Sequence, residues 1–292
     1  MSLRVACLGP EGTVSQEALE AAAVSANVDV EPLLTATIHD AVKAVTSGEA
    51  DLALVPLENS LEGGVAPTLD ELLAGDGMTP IVGEVIHTVR HRLIAKDQIA
   101  LDQITQVHTL PFVADQCGPW LRENLPEATV VPASSTADAV KTVAALGGMT
   151  AALGTELAAR LYGCEVLEDR VDEGGNTTRF VWLSTDSDGD LPPGVNPQMP
   201  RRTSIVFWGS GAEEPGWLVD CLAEFGSRGV NLTRIESRPR RDGLGSYVFF
   251  ADIDGGVDDT RVDQALSGLA ARADAVSLLG SYPSASASPL QS

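Results

Sequence analysis

The 292-residue sequence is poor in aromatic residues (4%), in cysteine and histidine (four each) and in positive charge, with 19 Lys and Arg against 41 Asp and Glu. Each shortage excludes something. With so few aromatics, a core must be built mainly from Ala, Val, Leu and Ile. A formal net charge of −22 argues against nucleic acid or an anionic membrane as partner, since both need an electropositive face. Cys7, Cys117, Cys164 and Cys221 lie far apart without a CxxC pair, and His39, His87, His91 and His108 form no HExxH. Neither a metal site nor a disulfide framework is expected, and a reduced cytoplasm fits. No histidine has a Ser or Cys companion at a recognisable spacing, so each is expected to be structural and a nucleophilic triad lacks support. No apolar run approaches the ~18 residues of a membrane span, and MSLRVACLGP reaches Gly-Pro too early for a signal peptide.

What is present is ordinary globular composition, 44% hydrophobic and 21% charged, at a length that suggests about two domains. The charge is uneven: residues 1–200 hold 10 Lys and Arg against 29 Asp and Glu, a net of −19. Residues 3–8 read as a buried strand, and Thr13-Val14-Ser15-Gln16 has the form of a capping box opening a helix to about Ser25. A helix is expected from His39 to Ser47, then a strand over 51–55 halted by Pro56. Thr68-Leu69-Asp70-Glu71 repeats the capping-box form. Further on, 81–95 reads as extended, 107–109 and 150–153 as strands, and 112–124, 135–146 and 156–161 as helices. The alternation predicts parallel α/β layers. DLALVPLENS and TAALGTELAA echo one another, which suggests two α/β lobes offering strand ends to a shared cleft. The Pro- and Asp-rich stretch 185–200 reads as a linker. Beyond it the pattern is β-α-β-β-α-β, a ferredoxin-like module, and the Ser/Pro-rich residues 282–292 read as a disordered tail.

Three polar constellations stand out. Gly9-Pro10-Glu11-Gly12-Thr13 between strand and helix can seat an anion on backbone N–H groups, with Thr13 and Ser15 as hydroxyl donors, or can be a tight capped turn. Glu58-Asn59-Ser60 follows a buried strand, as an active loop or as a plain one. Asn176-Thr177-Thr178-Arg179 supplies hydroxyl, amide and guanidinium donors, or a turn with a surface arginine.

Taken together, GPEGTVSQEA (9–18), VPLENSLEGGV (55–65) and NTTRFVWLS (176–184) closely resemble the signature stretches of prephenate dehydratases. GWLVDCLAEFGSRGVNLTRIESRP (216–239) with YVFFADIDG (247–255) resembles the ACT regulatory module attached to such enzymes. The resemblance implies a two-lobed, periplasmic-binding-protein-like catalytic domain over 1–184, a linker over 185–200 and a βαββαβ ACT domain over 201–281. It implies decarboxylating dehydration of prephenate to phenylpyruvate in phenylalanine biosynthesis, without cofactor, with feedback by L-phenylalanine in a homodimer or homotetramer. Two other readings stay open: an arogenate dehydratase, and a non-catalytic amino-acid sensor.

Carried over residue by residue, the resemblance makes Thr178 the catalytic threonine. It makes Thr13, Ser15, Glu58, Asn59, Ser60, Thr109, Gln116, Arg179 and Phe180 substrate-binding. It makes Gly216, Leu218, Val219, Asn231, Leu232, Glu236, Ser237, Arg238 and Pro239 the effector site. On this view Thr178 donates to the departing hydroxyl and Arg179 clamps a carboxylate. Three residues depart from the family pattern: Val14 for an aromatic residue, Leu110 for a histidine, and Trp217 for an alanine in the effector motif.

Overall fold

The apolar run at the start forms β1 (Leu3–Leu8), an interior strand of the first of three sheets in a computed structural model that describes residues 2–75, 79–187, 189–240, 243 and 245–285. Helix α1 (Val14–Ala26) follows as its cap dictates. The Thr13 hydroxyl accepts from Gln16 N, while Gln16 Oε1 accepts the Gly12 N–H at 2.8 Å. Next come β2 (Val30–Thr35), α2 (Ile38–Thr46), β3 (Leu52–Asn59), the short β4 (Gly63–Gly64), α3 (Ala66–Ala74) and β5 (Ile81–Thr88). With β11 (Thr177–Leu183), returning from far along the chain, they form a sheet in the order β2-β1-β3-β11-β5. β1 runs parallel to β2 and β3, but β11 runs antiparallel to β3 and β5, so the expected parallel layer is mixed.

Pro56 does not halt β3. Arg179 pairs with Glu58 and Phe180 with Pro56, so Leu57 forms a bulge that absorbs the missing proline N–H, and the strand carries on to Asn59. Thr68 is not a cap either: α3 starts two residues earlier, and the Thr68 hydroxyl donates to the Pro56 carbonyl at 2.6 Å.

The chain crosses into a second lobe through residues 89–91. There β6 (Arg92–Ala95), β7 (Gln106–Thr109), β8 (Thr129–Pro132), β9 (Thr150–Gly154) and β10 (Glu165–Glu168) make a sheet in the order β10-β6-β9-β7-β8. Helices α4 (Pro111–Gln116), α5 (Gly118–Asn124), α6 (Thr136–Leu146) and α7 (Glu156–Tyr162) accompany it; the helix expected over 112–124 is broken at Cys117. The chain returns to β11 through residues 169–176. The Val89 N–H donates to the Asn176 carbonyl at 2.8 Å, tying the two crossings together. Beneath the lobe junction Gly12, at φ +87°, lies against Ala158, and the Thr155 hydroxyl donates to the Gly12 carbonyl at 2.7 Å.

Residues 185–200 dock on the first lobe: Val195 fills the space above Gly83 and packs against the core around Trp182 (Asp188 lies outside the described residues). The last module is β12 (Arg201–Trp208), α8 (Trp217–Gly226), β13 (Leu232–Pro239), β14 (Tyr247–Asp254), α9 (Thr260–Ala270) and β15 (Ala275–Pro283), with sheet order β13-β14-β12-β15. This is the βαββαβ arrangement expected. One face of its sheet packs on α8 and α9. From the other face Val206, Val248, Phe250, Leu279 and Tyr282 join the core of the first lobe. The last strand runs past the expected boundary at 281, and Tyr282 is fully buried; the rest of the expected tail, 286–292, lies outside the described residues. No described helix is long and apolar enough to cross a membrane.

Candidate active site

Between the two lobes lies a cleft of about 700 Å³. Thr178 and Phe180 line it from β11, Asn59 from β3, Ser15 from α1, and Leu110 and Gln116 from the second lobe. Thr178 faces the cleft because side chains alternate along a strand. Its hydroxyl oxygen accepts from Asn59 Nδ2 at 3.0 Å, across the register pair Thr178–Asn59. Asn59 is fully engaged: Nδ2 also donates to Asn176 Oδ1 at 2.8 Å, and Oδ1 accepts from Leu61 N and Glu62 N. Asn176 donates in turn to Gln116 Oε1 at 3.1 Å, and Gln116 donates to Glu62 at 2.9 Å. This chain of amides spans both lobes and ends on the Thr178 oxygen, leaving the hydroxyl proton for a ligand.

Arg179, the next residue, points the other way. Its guanidinium bonds Glu84 and Glu58 at 3.0 Å each and Asp252 of the last module at 2.5 Å. Ser204 adds a 2.7 Å bond to Asp252 and another to the buried Tyr282 hydroxyl, and Arg234 reaches Asp252 at 3.0 Å. Burial would raise the Asp252 carboxyl, but Arg179 and Arg234, together with the Ser204 hydroxyl, overcome it and hold it at about 2. Arg179 is itself pushed above its ordinary value: burial opposes, and Asp252, Tyr282 and Glu84 prevail. Arg179 and Glu58 are thus placed outside the cleft, against the expected role of Arg179 as carboxylate clamp.

Other expected site residues also lie elsewhere. The Thr13 hydroxyl donates to the Leu8 carbonyl at 2.7 Å and caps α1, so although Thr13 borders the cleft its hydroxyl is spent. Ser60 bonds the Gly175 carbonyl at 2.8 Å and the Thr177 N–H, tying down the loop before β11. Thr109 is fully buried and faces a separate hollow near Arg122; the neighbouring Leu110 is what reaches the cleft.

The cleft holds one functional candidate that the sequence reading set aside. His91 lines it from the first crossing, only 3% exposed, with no hydrogen-bond partner of good geometry on either ring nitrogen and the Gln116 amide alongside. Burial holds its imidazole below the ordinary value, against the pull of Asp172, Gln116 and Glu17. Among the described residues no Lys or Arg lines the cleft; its positive features are the N-termini of α1 and α6, bordered by Ser15 and Ser135.

In the last module the expected effector residues divide between two faces. Gly216, at φ +94°, starts α8 on the helix side, next to Leu218 and a largely exposed Val219. Leu232 packs toward the same helices, whereas Ser237 is exposed. Glu236 and Arg238 face the first lobe: Glu236 accepts from Arg234 at 2.9 Å and packs on Gly64, and Arg238 reaches Asp70 at 3.0 Å. Asn231 bonds Asp254 at 2.9 Å, and Pro239 ends β13. Trp217 packs with Phe207 and Phe249 over Gly209 and Gly211, which leave room for its ring.

Comparison with known proteins places this arrangement. The family model for prephenate dehydratase matches residues 5–188. Prephenate dehydratase from Mycobacterium marinum is 39% identical over 287 residues, 96% of this chain and 88% of that one. The structure of prephenate dehydratase from Arthrobacter aurescens in complex with L-Phe superimposes with a TM-score of 0.83 at 36% identity, covering 96% of this chain and 90% of that one. GqqA, described as a novel type of quorum quenching acylase, superimposes with a TM-score of 0.82 at 29% identity, covering 96% and 98%. A chain matched over nearly its whole length in sequence and fold, with the Thr-Arg-Phe and Glu-Asn-Ser segments paired beside an interlobe cleft, belongs to the prephenate dehydratase family.

Proposed function

We propose that the cleft converts prephenate into phenylpyruvate, carbon dioxide and water, with Thr178 hydrogen-bonding the oxygen that departs. The observation that carries this reading is the Asn59 to Thr178 bond, which fixes the hydroxyl oxygen and leaves its proton for a ligand. Loss of the ring carboxylate and the ring hydroxyl creates an aromatic ring, so the overall step is downhill and the barrier is the expulsion of hydroxide. A threonine is too weak an acid to transfer its proton outright. It can stabilise the developing charge, an effect worth roughly 10²–10³ in rate. The substrate is a dianion, and the N-termini of α1 and α6 give it partial positive charge from opposite lobes, each worth about 0.3–1 kcal/mol.

An acylase reaction of the kind named for GqqA needs an activated nucleophile. The side chain beside the His91 ring is the Gln116 amide, and among the described residues no cleft serine or threonine is hydrogen-bonded to His91, so dehydration is the better-supported chemistry. Arogenate is the competing substrate. Turnover of prephenate and of arogenate by the purified protein decides between them, and phenylpyruvate formation from prephenate is the expected result. Activity on neither would favour the amino-acid sensor.

The same reading assigns 1–184 to catalysis, 185–200 to a docked linker, and the module from 201 to an ACT-type regulatory domain that binds L-phenylalanine in a homodimer or homotetramer. Gly216 and Glu236 lie on opposite faces of one sheet, so a pocket using both draws them from two copies. The Arg179–Asp252 bond connects this module to the strand bearing Thr178 and is the route by which the effector acts. The four cysteines are free, in keeping with a cytoplasmic protein.

A further inference from the structure

The proposed reaction has a proton balance that the hydroxyl of Thr178 cannot meet. A dianion becomes a monoanion, carbon dioxide and hydroxide. The hydroxide must collect one proton to leave as water. The substrate also brings two negative charges into a cleft whose described lining residues include no Lys or Arg and one carboxylate, Glu62. His91 is the only basic side chain among the described lining residues, and its two ring nitrogens are buried with the Gln116 amide alongside and no hydrogen bond of good geometry. A buried imidazole with so little hydrogen bonding is costly unless a ligand satisfies it.

We propose that His91 is the proton carrier of the cleft: it takes up a proton as the dianion binds and delivers it to the departing oxygen. The bond between the ring carbon and its carboxylate breaks and its electron pair completes the aromatic ring. The carbon–oxygen bond breaks with its pair on oxygen, and the imidazolium N–H proton moves to that oxygen, directly or through a water. Water and carbon dioxide leave, and His91 returns to the neutral form. Thr178 supplies a hydrogen bond throughout and no proton.

The surroundings of His91 suit this cycle. Asp172 accepts its backbone N–H at 2.8 Å and favours the cation, although Arg170, 3.7 Å away, partly offsets that carboxylate. Glu17 on α1 adds negative charge but is engaged by His87 at 3.1 Å, and Glu62 is held by Gln116. Burial outweighs these carboxylates and favours the neutral ring; two substrate carboxylates tip the balance toward the cation.

The inference rests on the prephenate dehydratase reading and fails separately from it: a wild-type protein that makes no phenylpyruvate sinks the reading, whereas the following tests assume an active one. With His91 neutral in the free protein, log kcat/KM of the wild type falls with a slope of −1 between pH 7 and 9. His91→Gln, which keeps a hydrogen-bond donor but no titratable proton, lowers kcat by about 10²–10⁴ and flattens that limb. A variant whose pH profile runs parallel to the wild type, or whose kcat stays within threefold, overturns the proposal. Calorimetry of prephenate binding to Thr178→Ala, in two buffers of different ionisation enthalpy, gives a readout that needs no His91 variant. Uptake approaching one proton per site at pH 7.5 is expected, and none overturns the proposal.

Discussion

Thr178 and Arg179 are consecutive on one strand and serve opposite sides of it: the first faces the interlobe cleft, the second is bonded to Asp252 of the C-terminal module. Their partners on β3 repeat the division, Asn59 holding Thr178 and Glu58 holding Arg179. Two adjacent rungs of one ladder thus carry the proposed chemistry on one face and the domain connection on the other.

Asn59→Ala removes the donor that fixes the Thr178 oxygen. A lost hydrogen bond of about 1–2 kcal/mol lowers kcat roughly fivefold to thirtyfold, with little change in KM. Steady-state kinetics with prephenate reads this directly, and an unchanged kcat would deny Asn59 its positioning role.

Asp252→Asn leaves Arg179 short of a buried counter-charge, at a cost of about 3–5 kcal/mol near neutral pH. Because the folded carboxyl is held down at about 2, its contribution is complete above the ordinary carboxylate value and is lost as pH falls from about 4 through 2. Urea unfolding at pH 6 and at pH 3 should show the gap between wild type and variant narrowing at the lower pH. The same substitution weakens inhibition by L-phenylalanine; an inhibition curve identical to that of the wild type would remove Arg179–Asp252 from the regulatory route.

Gly12→Ala places a methyl group 2.8 Å from the Ala158 Cβ at a backbone φ of +87°. Strain and overpacking together cost about 2–4 kcal/mol and hold the lobes apart. Thermal unfolding should fall by several degrees and KM should rise.

Salt tests the electrostatics. A chain of net charge −22 repels a dianion at long range, and on the proposed reading local donors hold it, with no Lys or Arg among the described lining residues. Moderate salt should leave KM unchanged or lower it. A steep rise in KM with salt would show that cationic side chains hold the substrate.

Much of this was legible from residues alone. β1 and α1 followed from an apolar run and a capping pair, and the βαββαβ module followed from its strand and helix pattern. β2 was missed because VEPLLT holds Pro32 and Glu31 and alternates poorly; as an edge strand with those two residues exposed it tolerates both. Pro56 was read as a stop because a bulge is a property of the paired strands and not of one of them. The orientation of Arg179 was available: with Thr178 and Phe180 assigned to the cleft, a period of two sends Arg179 to the far side. His91 carried no such signal. It reaches the cleft because the chain crosses between lobes at 89–91, and its companions Gln116, Asp172 and Glu17 come from distant segments.

Phenylpyruvate formation from prephenate, measured for the wild type beside Thr178→Val in matched preparations, is the most direct test of the whole account. A working wild type and a variant slower by about 10²–10³ in kcat are predicted. Equal rates in the two proteins would contradict it.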